Sequence, residues 1–324
     1  MIVVVTLNPA LDVTHYVDGA DWAGVNRPHE VHVRAGGKGL NVARTLRALG
    51  QQVKVTGLAG GCTGQALASG LDGTGIEVGL TEIAAETRRT FLVADSARGQ
   101  TALFNEPGPA VSAEEYHAFA GAYEQALAGA AAVVLTGSLP PGVPDDAYAR
   151  LTKSAASAGV PVILDASGPP LRFGAAAGPA LIKPNLAELE TVAGRELWTG
   201  GEPDLQAIEE AAGELAATGR GSTAVVVSLG ATGLLAVAPE GTWHARPPGH
   251  VAGNPTGAGD AVVAGLADSL VRGQDWPASL RHAAALGSAT AGAPVAGDFA
   301  AADYEGLVTA VEVVGGQAGL GRKR

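Results

Sequence analysis

The chain has 324 residues, 47% of them hydrophobic and 16% charged, with 32 acidic against 21 basic side chains and a net charge of −11. That balance excludes a disordered chain and argues against a nucleic-acid binder, which would carry a basic face. A single cysteine, Cys62, excludes an internal disulfide and any multi-cysteine metal site, and suits a reducing, cytoplasmic setting.

The first element is the β-rich run IVVVTL (2–7), which reads as a strand buried on both faces. Residues 13–34, with the alternating HEVHVRA, break the pattern and read as antiparallel strands. A helix (39–49), a strand (53–60) and a helix (63–73) follow. Residues 87–105 read as a second antiparallel insertion, a hairpin turning at DSARG. The chain then alternates helix (113–128), strand (132–137), helix (145–158) and strands (160–166 and 180–185). Helices (186–193 and 205–218) flank no further strand until 223–230. GLLAVAPEGTWHARPP makes a hairpin with PEG at its turn, and two Ala-rich helices (261–272 and 278–291) complete the reading.

Strands alternating with helices predict an α/β fold: a mostly parallel central sheet with helices on both faces. The two insertions, about 13–34 and 87–105, add a small β-sheet lid to one domain spanning 1–324. The N-terminus shows no signal-peptide pattern and no apolar run reaches a membrane span, so neither a membrane nor a nucleic acid is expected as a partner. The basic tail Arg322–Arg324 reads as solvated.

Ligands of open α/β sheets bind beyond the carboxyl ends of the strands, and several polar motifs fall there. In NPALD, Asp12 can accept ligand hydroxyls, or simply close a turn. AGGKGLNVARTL sets Gly37, Lys38 and Asn41 at a glycine-rich helix start suited to an anion; its spacing is neither a Walker A loop nor a dinucleotide fingerprint. In TRRTF, strand alternation lets one of Arg88 and Arg89 face a ligand while the other meets solvent. Ser138 of LTGSLPPG can contact a sugar hydroxyl, and a turn role reads equally well. In KPNLAELE, Lys183 can meet nucleotide phosphate. Asn185 and Glu188 can serve Mg²⁺ and its waters, with Asp165 of VILDAS contributing through water, although the same spacing makes a capping box. Ser228, Gly230 and Gly233 of SLGATG can line a nucleotide. NPTGAGDA ends the series: the N–H groups of Gly257, Ala258 and Gly259, ahead of a helix starting near Ala261, can converge on a transferred phosphoryl group beside Asp260, which can act as a base or simply cap the helix.

Taken together, TLNPALD, GGKGLNVA, NEPGP, GSLPPG, KPNLAELE, SLGATG and NPTGAGDA make the chain resemble the ribokinase-like sugar kinases, the PfkB family. Lys38 in GGKG, Arg27 in GVNR and NEPGP (105–109) make it look most like the 1-phosphofructokinase and tagatose-6-phosphate kinase branch. The resemblance implies an ATP- and Mg²⁺-dependent kinase of a hexose phosphate, fructose 1-phosphate first, with tagatose 6-phosphate or fructose 6-phosphate as alternatives. It implies Asp260 as base and Gly257–Gly259 as anion hole. Asp12, Gly37, Asn41 and Ser138 would hold sugar hydroxyls, Lys38 and Arg88 the substrate phosphate, with Arg27 from a neighbouring lid. Ser288 joins the nucleotide-facing residues. Family members commonly dimerise through the lid. Two departures stand out: Leu103 and Phe104 lie where some related 6-phosphofructokinases carry an Arg, and Ala261 replaces a Ser common among relatives. Lys38 and Arg88 argue against a nucleoside or free-sugar kinase, and Asp260 with its intact anion hole against a non-catalytic sugar-phosphate sensor.

Overall fold

The computed structural model describes residues 1–219, 222–249, 256–293 and 298–317. The chain begins with β1 (Ile2–Thr6), enters the lid through β2 (Ala10–Val17) and β3 (Glu30–Gly36), and returns by α1 (Lys38–Ala48) to β4 (Val53–Gly60). After α2 (Gly61–Ser69) and β5 (Glu77–Ile83) it re-enters the lid as β6 (Arg89–Asp95) and β7 (Gln100–Asn105). Next come α3 (Ala113–Ala126), β8 (Ala132–Thr136), α4 (Ala147–Ser157), β9 (Val162–Asp165), α5 (Gly168–Ala176), β10 (Leu181–Ile182) and α6 (Leu186–Ala193). A short hairpin, β11 (Trp198–Thr199) and β12 (Glu202–Pro203), precedes α7 (Leu205–Thr218) and β13 (Ala224–Ser228). The hairpin β14 (Leu234–Ala238) and β15 (Gly241–Arg246), then α8 (Ala258–Arg272), α9 (Trp276–Ala291), α10 (Ala301–Ala310) and β16 (Glu312–Gln317) finish the described chain.

The large sheet runs β16-β15-β14-β13-β10-β9-β8-β1-β4-β5. It is parallel from β13 to β5 and antiparallel from β13 out to β16. β1 explains the architecture in miniature. Val3 and Val5 join the apolar layer with α3 and α4, whereas Ile2 and Val4 join the layer with α1, α8 and α9. An unbroken apolar run is what a strand covered on both faces requires. Chain order reverses at β1, which pairs with β4 on one side and β8 on the other. The carboxyl ends of β1 and β8 therefore flank the switch-point crevice where such sheets bind ligands.

The lid sheet has the order β3-β2-β6-β7. Its two antiparallel hairpins are joined by a parallel pairing of β2 with β6. Six elements escape the sequence pattern, the hairpin strands β11 and β12 among them. β5 is an edge strand with six of its seven residues exposed or partly so. α5 opens with Gly-Pro-Pro, which looks like a turn, yet proline fits a first helical turn. α10 and β16 pack at the opposite edge without clear periodicity. One boundary changes meaning: α8 starts at Ala258 and not at Ala261, because Gly257 supplies the N-cap at φ 86°. Among the described residues no helix is long and apolar enough to cross a membrane.

Candidate active site

A cleft of about 1760 Å³ opens between the carboxyl ends of the parallel strands and the lid. One end of it is lined by the start of α8. Ala258, Gly259 and Asp260 form the first helical turn, and the first α-helical bond there is Ala261 N–H to Gly257 O. The preceding N–H groups have no intrahelical acceptor and point out of the helix toward the cleft with the positive end of its dipole. The N–H groups of Ala258 and Gly259 thus belong to the helix itself, and Gly257 is its N-cap.

Asp260 is buried, at 6% exposure, and accepts a hydrogen bond from Asn41 Nδ2 at 2.9 Å. Burial is the main force that pushes its carboxyl up to about 7, with the nearby charge of Asp165 adding to it; Lys38, Asn41 and Lys183 oppose. A base is most effective with such a pKa near the working pH. Asn41 thus gives one amide N–H to Asp260, while its second N–H and its carbonyl oxygen stay open to a ligand in the cleft that it lines.

Asp165, at the end of β9, stands between two lysines. Lys183 Nζ lies 3.2 Å from one oxygen and Lys38 Nζ 3.3 Å from the other, which also accepts from Thr136 Oγ1 at 2.8 Å. Burial alone would raise this carboxyl; the two lysines and Thr136 outweigh it and hold it at about 2. Asp165 in turn raises the pKa of Lys38 above the usual lysine value, against burial and with help from Asp260 and Glu188. Lys183 is almost fully buried, and a β-carbon built on Gly259 would stand 3.9 Å from its Nζ. Its ammonium thus faces the start of α8.

Asn185 and Glu188 make the complete capping box of α6: Glu188 N–H donates to Asn185 Oδ1 and Asn185 N–H to Glu188 Oε2, both at 2.8 Å. Both residues also line the cleft. Capping uses one oxygen of Glu188 and leaves the other. Among the described residues no cluster of three or more His, Cys, Asp or Glu side chains could hold a metal. A lone carboxylate oxygen facing a phosphate site fits Mg²⁺ brought in with a nucleotide, since Mg²⁺ keeps its waters and uses few protein ligands.

At the lid end, Gly36 lacks the β-carbon that would sit 1.8 Å from Asp12 Oδ2, and the next residue, Gly37, caps α1 at φ 93°. Arg88 donates from Nε to Asn8 O at 3.1 Å and from Nη1 to Glu106 O at 3.2 Å, and it lines the cleft. Arg89 turns away to Thr63 Oγ1 at 3.3 Å. Of the two arginines it is Arg88 that faces the cleft. Ser138 Oγ accepts from Asn8 Nδ2 at 3.1 Å. Asn8, Thr90, Asn105 and Thr136 were not singled out by the sequence reading, although Asn8 sits in NPALD itself. Arg27 is exposed and does not line the cleft of its own chain. At the far end Ser228, Gly230, Gly233 and Ser288 all line the cleft. Gly230 starts a 3₁₀ turn, and a β-carbon on Gly233 would collide with Ala245 O at 2.0 Å. Asn254 and Pro255, like the tail Arg322–Arg324, lie outside the described residues.

Comparison with known proteins agrees with this geometry. The pfkB family carbohydrate kinase model matches residues 2–301. The tetrameric inhibited form of phosphofructokinase-2 from Escherichia coli is 30% identical, with a TM-score of 0.85 over 95% of this chain and 98% of that one. The same enzyme in complex with fructose-6-phosphate is 29% identical, with a TM-score of 0.83 over the same shares. A possible 1-phosphofructokinase of Thermotoga maritima shares the fold at 24% identity, with a TM-score of 0.81 over 97% of this chain and 99% of that one. The chain accordingly belongs to the pfkB family of carbohydrate kinases, phosphotransferases that act on a sugar hydroxyl.

Proposed function

We propose that the chain transfers the γ-phosphate of ATP to a hydroxyl of a hexose phosphate, with fructose 1-phosphate as acceptor and fructose 1,6-bisphosphate as product. The observation that carries this reading is Asp260, a buried carboxyl standing at about 7 at the open end of α8. The sugar hydroxyl gives its proton to Asp260, its oxygen bonds to the γ-phosphorus, and the bond to the β–γ bridging oxygen breaks, releasing ADP. Asn41 holds Asp260 in place, and the N–H groups of Gly257, Ala258 and Gly259 with Lys183 and Lys38 meet the charge that develops on the transferred group. Mg²⁺, bound through Glu188 and waters near Asn185, would neutralise nucleotide phosphates. Ser228, Gly230, Gly233 and Ser288 would line the nucleotide. Asp12, Gly37, Asn41 and Ser138 would orient the sugar, and Lys38 and Arg88 would hold its phosphate. Arg27 is assigned to a partner's cleft in a homodimer closed through the lid. The exposed lid side chains Trp22, Val25, Val33 and Phe104 support that dimer.

Fructose 6-phosphate is the second reading, because the E. coli enzyme was solved with it. Leu103 lines the cleft and brings no cation to that wall. A coupled ADP-release assay across fructose 1-phosphate, fructose 6-phosphate, tagatose 6-phosphate and the free sugars decides between them. Lys38→Ala and Arg88→Ala should each raise KM for the phosphorylated sugar by about tenfold or more, the value of one charge-assisted contact. Unchanged KM in both variants would remove the phosphohexose assignment.

A further inference from the structure

Four polar side chains form a row across the lid sheet. Strand pairing sets Asp12 opposite Arg34 on β3 and opposite Thr90 on β6, and Thr90 opposite Asn105 on β7. Directly opposed residues project to the same face of a sheet, and all four line the cleft. Two residues further along, the β6 and β7 positions are Leu92 and Leu103, so the polar pair Thr90 and Asn105 is confined to the row that holds Asp12.

Thr90 is buried, at 9% exposure, and its hydroxyl oxygen lies 3.2 Å from the side-chain amide of Asn105. The same hydroxyl hydrogen-bonds the Asp12 carboxylate. A hydroxyl has one hydrogen and two lone pairs, and an ionised carboxylate only accepts. The Thr90 hydrogen therefore goes to Asp12, and its oxygen accepts from Asn105. As placed, the Asn105 amide turns its Oδ1 to Thr90; exchanging its oxygen and nitrogen, which amide geometry leaves open, lets the nitrogen donate to the Thr90 oxygen and satisfies both bonds. On its other side Asp12 meets the Gly37 N–H.

We propose that Asn105 and Thr90 are positioning residues for acceptor recognition: their relay locks the Asp12 carboxylate in one orientation and so sets which arrangement of sugar hydroxyls the cleft accepts. The proposal rests on the reading of Asp12 as a hydroxyl-binding carboxylate of a sugar-phosphate kinase.

Thr90→Val removes the relay at nearly constant volume, Thr90→Ser restores it, and Asn105→Ala cuts it one bond earlier. In steady-state kinetics with the sugar that wild type uses best, Thr90→Val should raise the sugar KM by about tenfold to a hundredfold, the cost of a small misplacement of a contact group. The KM for ATP should stay within about twofold, and the preference between epimeric sugars should narrow. Thr90→Ser should return the sugar KM to within about threefold of wild type, with Asn105→Ala between it and Thr90→Val. An unchanged sugar KM in Thr90→Val, equal effects of Val and Ser, or a parallel rise in the KM for ATP would each overturn the proposal. Should Thr90→Val fail to fold, the Asn105→Ala comparison decides. If wild type used only unphosphorylated sugars, the substrate reading would fail, while the same series on those sugars would still judge the relay.

Discussion

Replacing Asp260 by Asn isolates the cost of keeping an ionisable carboxyl in this cleft. The group stands at about 7 in the folded protein against an ordinary value of 3.8, first because it is buried and next because Asp165 is charged. A carboxyl whose pKa is raised on folding binds its proton more tightly in the folded state. Its contribution is therefore fully favourable below about pH 3.8 and is lost as pH rises through about 7. At about 1.36 kcal/mol per pH unit, that interval amounts to on the order of 4 kcal/mol forfeited at pH 8. Asparagine keeps the shape, can still accept from Asn41, and forfeits none of it. Asp260→Asn should thus abolish turnover and yet, without ligands, be more stable than wild type by about 2–4 kcal/mol at pH 8. At pH 5 the difference should shrink to under about half. Urea titrations followed by fluorescence of the four tryptophans at both pH values measure it directly. The ionisation also sets an acid limb near pH 7 in kcat/KM of wild type. A variant no more stable than wild type at pH 8 would mean that Asp260 ionises without penalty, and the argument for a tuned base would fall. Retained turnover would remove the catalytic role altogether.

Two further substitutions separate the chemistry from the scaffold. Lys183→Met removes a nearly buried ammonium from Asp165 and leaves Lys38 as its remaining ion-pair partner. It should cost about 3–5 kcal/mol of stability and most of the turnover, read by thermal unfolding and the coupled assay. His282→Ala tests the other buried network: His282 lies between Asp268 Oδ2 at 3.2 Å and Tyr304 OH at 2.8 Å, and ties α8, α9 and α10 together. Its loss should lower stability by about 1–3 kcal/mol while leaving both KM values unchanged, because none of the three residues lines the cleft.

The sheet was legible wherever burial on both faces forces an unbroken apolar run, as in β1 and β4. It was illegible where that force is absent. β5 is covered incompletely at the edge, and β10 is only Leu181–Ile182 because Pro184 has no N–H to give, although Lys183 N–H still reaches Leu164 O and Asn185 still bridges Ser228. The site residues carried by glycine-rich turns could be read, since a glycine run next to a lone Lys or Asp has few cheaper explanations. Asn8, Thr90 and Thr136 could not be read the same way. Each acts by orienting another side chain across more than 15 residues of sequence or between strands, and such pairings exist only once the sheet has formed. The bond from Asn41 to Asp260 was hidden for the same reason, for the two residues are 219 apart in the chain.

The tests above converge on why the catalytic end is built from charges at all. A buried carboxylate held by two lysines is weak evidence for stability, since apolar residues of similar volume often do as well or better. Here the cluster has a second effect that apolar residues could not reproduce. Asp165 pushes the Asp260 carboxyl up, whereas Lys38 and Lys183, the groups that hold Asp165, push it down. Burial and Asp165 favour the protonated form, and the lysines favour the carboxylate. Their opposition brings the carboxyl to about 7 while keeping the Lys183 ammonium beside the open N–H groups of α8. On the function proposed above, the same arrangement that costs stability would supply a matched base and a cationic seat for a phosphoryl group within one set of contacts.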